Sequence, residues 1–297
     1  MASTTTDNIV NLQEKVIGPA RMTLKDDVLA IKSSYKVERG APGMDDTYNS
    51  PKLPGVTAYG LTEGVDMVSE TLVDSNVAVA ATEVGVSVEL TKKMLRTVKA
   101  TAFLRAAGVA MGSAINVKEE QDLATLISGY GTSVGLDGGA ATIGHLGAAL
   151  AQLRANSEPI SEAMFKDVSC IAHPYGWHDI SQQLFPTGSG DSSAPMAATP
   201  PSVGEKVMGN YFPVGRYFGT PIKLSTNLVT SGTDVRAGVM HKSAGLIYEF
   251  MAADLEVDEY PKTKRSVTLS MVIDYGFGEI LDGHGRVWNH DVTAPTS

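Results

Sequence analysis

The chain has 297 residues, 43% hydrophobic and 19% charged, a globular composition that at ~150 residues per domain is sized for about two domains. Its 24 Lys and Arg face 33 Asp and Glu, a formal net charge of −9, so it has no basic surplus with which to coat nucleic acid by charge alone. The single cysteine, Cys170, excludes an internal disulfide and any multi-cysteine zinc or iron–sulfur site, and fits a reducing compartment.

Residues 1–40 read as an N-terminal arm. Its polar start, Met1 to Asp7, has no signal-peptide core. Leu24, Val28, Leu29 and Ile31 allow a helical turn or two between Gly18-Pro19 and Gly40. Pro42, Pro51 and Pro54, with Gly43, Asn49, Gly55 and Gly60, punctuate a loop over 41–60. Val65, Met67, Val73, Val77, Val79, Val84, Val86 and Val88 then alternate with small or polar residues. That period of two predicts an extended two-stranded loop, with too few large apolar residues for a core of its own.

A long helix is predicted over about 89–114 from the stripe Leu90, Met94, Val98 and Ala102, widened by Leu95 and Leu104. Ser87 or Thr91 is its N-cap, and Gly108 and Gly112 weaken its end. A second, shorter helix reads from Glu119 to Ile127 and stops at Gly129. Seven glycines over 129–147 form a junction. Leu146, Leu150 and Leu153 mark a helix that ends before Pro159. Val168–Ala172 is a short apolar strand, stopped by His173-Pro174, and Tyr175–Leu184 a helix. Residues 186–204 are a surface loop by composition. Tyr217–Leu224 reads as one strand across Gly219, Val239–Phe250 as strand or helix, and Ser266–Tyr275 as the clearest strand of all. The longest small-apolar stretch, Ala106–Ile115, is about half a membrane span. The expectation is a soluble, unanchored chain, intracellular at least during synthesis.

Charge is unevenly placed. Residues 51–90 carry one basic residue, Lys52, and six acidic ones, Glu63, Asp66, Glu70, Asp74, Glu83 and Glu89. Residues 91–118 carry Lys92, Lys93, Arg96, Lys99, Arg105 and Lys118 and no acid. The plain reading is a solvated helix face. An acidic projecting loop, however, cannot easily fold back on the helix that continues it, whereas it can lie on that helix in a neighbouring copy. Head-to-tail contacts of this kind close into rings when the rotation allows. The predicted intersubunit contact is therefore Glu63, Asp66, Glu70 and Asp74 against Lys92, Lys93, Arg96 and Lys99.

Three motifs are weighed for chemistry. Gly131-Thr132-Ser133-Val134-Gly135 matches the Gly-x-Ser-x-Gly nucleophile elbow, which needs a strand before it and a helix after it. Here a helix precedes and a Gly-rich loop follows, so a serine hydrolase using Ser133 stands as the alternative to a plain junction. His173, His178 and Asp179 lie close in sequence but lack the i, i+4 spacing and intervening Glu of a zinc helix. They read as a strand-to-helix turn, with Trp177 as a packing residue; a small ligand-binding α/β domain rests on Trp177 and the Gly-rich junction alone. Cys170 reads as a core residue. No catalytic residue, metal ligand or cofactor is predicted.

The order of elements, together with four segments, resembles the major capsid protein of tailed double-stranded DNA phages, the Hong Kong 97-type fold. Glu83-Val84-Gly85-Val86-Ser87-Val88-Glu89-Leu90-Thr91 resembles the end of that family's extended loop. Cys170-Ile171-Ala172-His173-Pro174-Tyr175-Gly176-Trp177-His178-Asp179-Ile180 is similar to its axial-domain strand–turn–helix. Gly215-Arg216-Tyr217-Phe218-Gly219-Thr220-Pro221-Ile222-Lys223-Leu224-Ser225 and Val239-Met240-His241-Lys242-Ser243-Ala244 resemble the strands that follow. The resemblance spans about 45–280. It implies an α+β fold with an N-terminal arm (1–44), an extended β-hairpin loop (45–85), a peripheral domain with a long spine helix (86–135 and 255–297) and an axial domain (136–254). It implies a non-enzymatic virion protein, assembled in the host cytoplasm into hexamers and pentamers of itself. Scaffold, portal and cement proteins are possible partners, with weak non-specific contact to packaged DNA and no membrane. Some relatives lose a long N-terminal scaffolding segment; only about 40 residues precede the loop here, so no large removed prodomain is expected. Some relatives cross-link a loop lysine, and Lys52 lies in that region.

Overall fold

The computed structural model describes residues 15–17, 19–20, 30–41, 45–52, 58–67, 69, 71, 75–95, 100–155, 167–184, 216–217, 219–259 and 266–295. Leu24, Val28 and Leu29 of the arm, the loop 186–204, and the contact candidates Glu70, Asp74, Arg96 and Lys99 lie outside these residues.

Thirteen strands and four helices are set out along the described chain. The strands are β1 (Lys36–Arg39), β2 (Thr47–Lys52), β3 (Ser75–Ala80), β4 (Thr82–Thr91), β5 (Ser133–Val134), β6 (Val168–Ala172), β7 (Arg216–Tyr217), β8 (Thr220–Leu224), β9 (Thr230–Ser231), β10 (Asp234–His241), β11 (Gly245–Glu259), β12 (Ser266–Glu279) and β13 (Gly285–Asp291). The helices are α1 (Lys92–Leu95), α2 (Ala100–Gly129), α3 (Ile143–Arg154) and α4 (Pro174–Leu184). They build an α+β fold around two main sheets. One has the order β1-β11-β12-β4. The other has the order β5-β13-β10-β6-β8-β7, with β9 added on β10. A separate ribbon pairs β2 with β3.

Apolar periodicity explains most of this. In β12, Val267, Leu269, Met271, Ile273 and Tyr275 alternate inward and are buried, as the period of two requires. β6 is buried at every position, which fits a central strand covered on both faces. Thr142 caps α3 by accepting a bond from the His145 N–H at 3.1 Å. The helix buries Leu146, Ala149, Leu150 and Leu153, an i, i+3, i+4 stripe. Each such leucine contributes roughly 1.5–3 kcal/mol by leaving water.

Several sequence expectations are corrected. The described pair is β2 with β3, and residues 58–67, including Val65 and Met67, join no strand; Val73 lies outside the described residues. Glu89 and Leu90 belong to β4, not to the helix. Leu90 fits both a period of two and a helical stripe, and its burial in the Val84, Val86, Val88 row decides for the strand. The helix starts at Lys92, so Thr91 rather than Ser87 is the residue before it.

The start of the helix expected over 89–114 is α1; its remainder from Ala100 and the helix expected over Glu119–Ile127 form one 30-residue helix, α2, about 45 Å long. Glu119 and Glu120 look like a polar helix start, yet both are buried on its inner face. Gly108 does not weaken a terminus. A Cβ there would lie 2.5 Å from the Val16 carbonyl oxygen, so the glycine lets the arm cross the helix closely. Tyr217–Leu224 is not one strand but the hairpin β7–β8, turned at Gly219 with φ +80°. Val239–Phe250 is strand on both sides of a 3-10 turn at Lys242–Ala244. Finally, β13 pairs with β10, so Gly285–Asp291 sits in the seven-stranded sheet and the segment 255–297 divides between the two sheets.

α2 serves both cores. Leu104, Met111 and Ile115 pack with the four-stranded sheet and with Val16 and Ala20 of the arm. Leu123, Ala124 and Ile127 pack with the seven-stranded sheet, Trp288 and Leu146. Val79 of the ribbon lies on Leu246 and Tyr248.

Candidate assembly surfaces

Three places in this fold concentrate its polar and exposed chemistry: a buried hub that fixes the arm, a double crossover between the sheets, and an exposed loop, of which only the last is open to contact with another copy.

The hub is built on α2. Glu120 Oε1 accepts from the backbone N–H of Ala30 at 2.9 Å and of Ile31 at 3.4 Å. Its Oε2 accepts from the Ser225 hydroxyl at 3.1 Å and from Asn227 Nδ2 at 2.7 Å. One carboxylate thus ties the arm, the helix and the segment after β8. Beside it, Lys32 Nζ lies 2.6 Å from Glu119 and 2.6 Å from Glu249 on β11, and Arg39 Nε donates to Glu249 at 3.0 Å. Burial works against the Lys32 charge, but Glu119 and Glu249 outweigh it and raise its pKa. Burial likewise opposes the Glu249 charge, and Lys32 and Arg39 outweigh it and hold the carboxyl below its ordinary range. The arm then runs on as β1, parallel to β11. Sequence reading missed this hub, because adjacent glutamates in a helix ordinarily mark a solvated face and their partners lie 87 to 107 residues away.

The double crossover joins the sheets. The turn at Lys242–Ala244 carries the chain from β10 to β11, and the turn at Asp282–His284 carries it from β12 to β13. Ser243 links the two turns. Its hydroxyl lies 2.7 Å from His241 Nδ1 and 2.5 Å from His284 Nδ1, and its N–H donates to His241 Nδ1 at 3.2 Å. The last bond requires His241 to carry its proton on Nε2, so Ser243 donates to His241 and accepts from His284. In the neighbouring core, Cys170 is buried and its thiol is pushed up to about 12 by burial.

The exposed loop lies at 58–67. Glu63 and Asp66 are exposed there, as are Tyr59, Leu61, Val65 and Met67; Leu61 and Met67 are each 73% exposed. On the helix side, Lys93 is exposed and Lys92 half-buried. Farther along α2, Phe103, Val109 and Val117 are exposed beside Arg105. Of the predicted contact set, Glu63, Asp66, Lys92 and Lys93 are therefore placed. Glu83 and Glu89, counted with the loop by sequence, stand instead on the outer face of β4. The exposed apolar residues of the loop and helix were the missed signal, since exposure is invisible in a pattern that reads them as half-buried.

The motifs weighed for chemistry take structural places. Ser133 does not sit on an elbow: it follows α2, forms the two-residue edge strand β5 against β13, and is succeeded by turns at Gly135 and Gly138 with φ +91° and +75°. The next helix begins only at Ile143. His173 Nδ1 accepts from the Tyr175 N–H at 3.2 Å, which caps α4, and burial lowers its pKa. His178 Nδ1 lies 3.8 Å from Asp179 in a half-exposed pair. Trp177 packs on the core, as expected.

No protein-family model matches the chain, and no curated protein sequence matches it. Solved structures do match. The capsid asymmetric unit of cyanophage Pam1 aligns with TM-score 0.62 at 13% identity, covering 88% of this chain and 90% of that one. The acid-stable capsid of the Helicobacter pylori bacteriophage KHP30 gives 0.63 at 10%, covering 87% and 89%. The capsid of cyanophage P-SCSP1u gives 0.61 at 13%, covering 88% of each. The chain has the fold of these capsid subunits, and the expected Hong Kong 97-type α+β architecture is met. No helix among the described residues is long and apolar enough to cross a membrane.

Proposed function

We propose that this chain is a phage major capsid protein, a non-enzymatic subunit that assembles as hexamers and pentamers into an icosahedral shell around DNA. The observation that carries the reading is the fold, matched over nearly nine-tenths of the chain to capsid subunits at identities too low for shared sequence to explain it. Assembly would take place in the host cytoplasm and the product would reside in the virion, with scaffold, portal and cement proteins as further partners. The net charge of −9 favours only weak contact with the packaged genome.

The domain reading follows the sheets. The arm is 1–44 and the extended loop about 45–85. The peripheral unit would hold α2, β4, β11 and β12, and the axial unit the seven-stranded sheet with α3 and α4, so that β5, β13 and residues 245–254 of β11 change units relative to the sequence bounds.

The assembly contact sets the loop of one copy on the basic helix of the next. Glu63, Asp66, Glu70 and Asp74 face Lys92, Lys93, Arg96 and Lys99, while Leu61, Val65 and Met67 bury apolar area against the helix side. Buried area supplies most of the affinity, and the charges set register and encounter rate. Replacing Lys92, Lys93, Arg96 and Lys99 together by Glu abolishes shells seen by negative-stain electron microscopy. Shells at normal yield overturn the contact, and a uniform 31.3 kDa monomer from the parent chain overturns the capsid reading.

A further inference from the structure

The four-stranded sheet ends on a long strand with one neighbour. Among the described residues β4 pairs with β12 alone, in unbroken register from Thr82 to Thr91. Its even-numbered residues face the core beneath. Across the ladder, Val84, Val86 and Val88 meet Ile273, Met271 and Leu269. The β12 members are buried, whereas the three valines stay half-exposed on the same face. The apolar row is complete on β12 and incomplete on β4, where a next strand would lie. No proline, lysine or bulge, devices that stop an edge from pairing, interrupts the edge from Thr82 to Leu90; its only charges are Glu83 and Glu89 on the outer face, which restrict the register.

We propose that β4 pairs antiparallel with β4 of a second copy, about a two-fold axis at Ser87. Keeping valines beside valines requires the axis to pass through a residue, because a slip of one would turn the row to the other face. An axis at Val86 sets Glu83 directly opposite Glu89 twice, a like-charge arrangement that destabilises a sheet. An axis at Val88 leaves only residues 85–91 to pair, since α1 begins at Lys92. The axis at Ser87 pairs residues 83–91 of both copies. It sets Val84 against Leu90 and Val86 against Val88, places Glu89 opposite Gly85, and brings Glu83 to the end of the partner's strand, one step from Lys92 and Lys93. Burial of the half-exposed valines drives the pairing, and the charge at each end selects the register. The pairing shares Lys92 and Lys93 with the loop–helix contact but requires neither that contact nor the shell reading.

The test is a cysteine at the axis. Directly opposed residues in an antiparallel pair lie about 4.5–5.5 Å apart at Cα, inside the roughly 4.4–6.8 Å that a disulfide spans. Cys170 is buried, so the new thiol is the reactive one. Ser87→Cys, oxidised with diamide, shifts the chain from monomer to covalent-dimer mobility on a non-reducing gel. Adding Glu83→Lys lowers the dimer fraction, and adding Lys93→Glu to that restores it. A folded Ser87→Cys chain that remains monomeric overturns the proposal, as does a dimer fraction indifferent to Glu83→Lys. Should Ser87→Cys fail to fold, a mixture of Glu83→Cys and Thr91→Cys chains reads the same register through a mixed disulfide, and its failure to form one overturns the pairing. Covalent dimers from a chain that builds no shells uphold the pairing while counting against the capsid reading.

Discussion

The two sheets differ in how far one chain completes them. The seven-stranded sheet is closed: α3, α4 and the end of α2 cover it, and β6 and β13 carry buried side chains on nearly every position. The four-stranded sheet is open: its edge strand keeps three valines half-exposed, its helix presents Phe103, Val109 and Val117, and the loop beyond it exposes Leu61, Val65 and Met67. A chain that finishes one half and leaves the other unfinished is suited to meeting copies of itself through the second, because exposed apolar area is stabilised when a partner covers it. The same comparison says where substitutions should cost stability and where they should cost assembly.

The largest effect belongs to the closed half. A Cβ at Gly176 of α4 would overlap Nε2 of His290, a fully buried ring tilted 35° against Trp288 at 4.5 Å between centroids. Gly176→Val should cost about 3 kcal/mol or more, read as a fall in the urea midpoint of the unassembled chain.

Acid strikes the same place. Burial lowers the His290 pKa to about 4; the nearby His173 adds to this, and a backbone bond at Trp288 and the carboxylates of Asp291 and Asp234 oppose it. The folded chain therefore refuses a proton that the unfolded chain accepts below about 6.5. Stability is full above that value and falls as pH drops from about 6.5 to about 4, by on the order of 2–3 kcal/mol. Unfolding midpoints across this window should show the slope, and His290→Gln should flatten it.

At the boundary between the halves, Glu120→Ala removes the acceptor of two backbone and two side-chain donors. A loss of about 2 kcal/mol is expected, with earlier proteolysis of the arm than of the core. The smallest effect on the single chain belongs to the open half. Leu61→Ser should change unfolding by less than about 0.5 kcal/mol yet lower shell yield, and an equal loss of stability would break the comparison.

Local patterns were legible where neighbours in sequence decide the outcome. The strand Val168–Ala172, the helix marked by Leu146, Leu150 and Leu153, and the long strand beginning at Ser266 lie where the sequence places them. Leu90 and the Glu119–Glu120 pair were misread because each fits two periodicities or two environments, and only distant partners choose between them. Glu120 is buried because Ala30, Ile31, Ser225 and Asn227 converge on it, none within a helical turn in sequence.

The sequence by itself determined the class of its most strongly patterned elements, such as β6, α3 and β12, and the unequal charge of residues 51–90 and 91–118, because these depend on composition and short-range spacing. Tertiary structure alone decided that one helix spans both cores, that β13 returns to the other sheet, that the arm is locked by buried carboxylates, and that β4 ends its sheet among the described residues. Each of those depends on which distant segments exclude water from one another, and the free energy of that choice resides in contacts that no local pattern records.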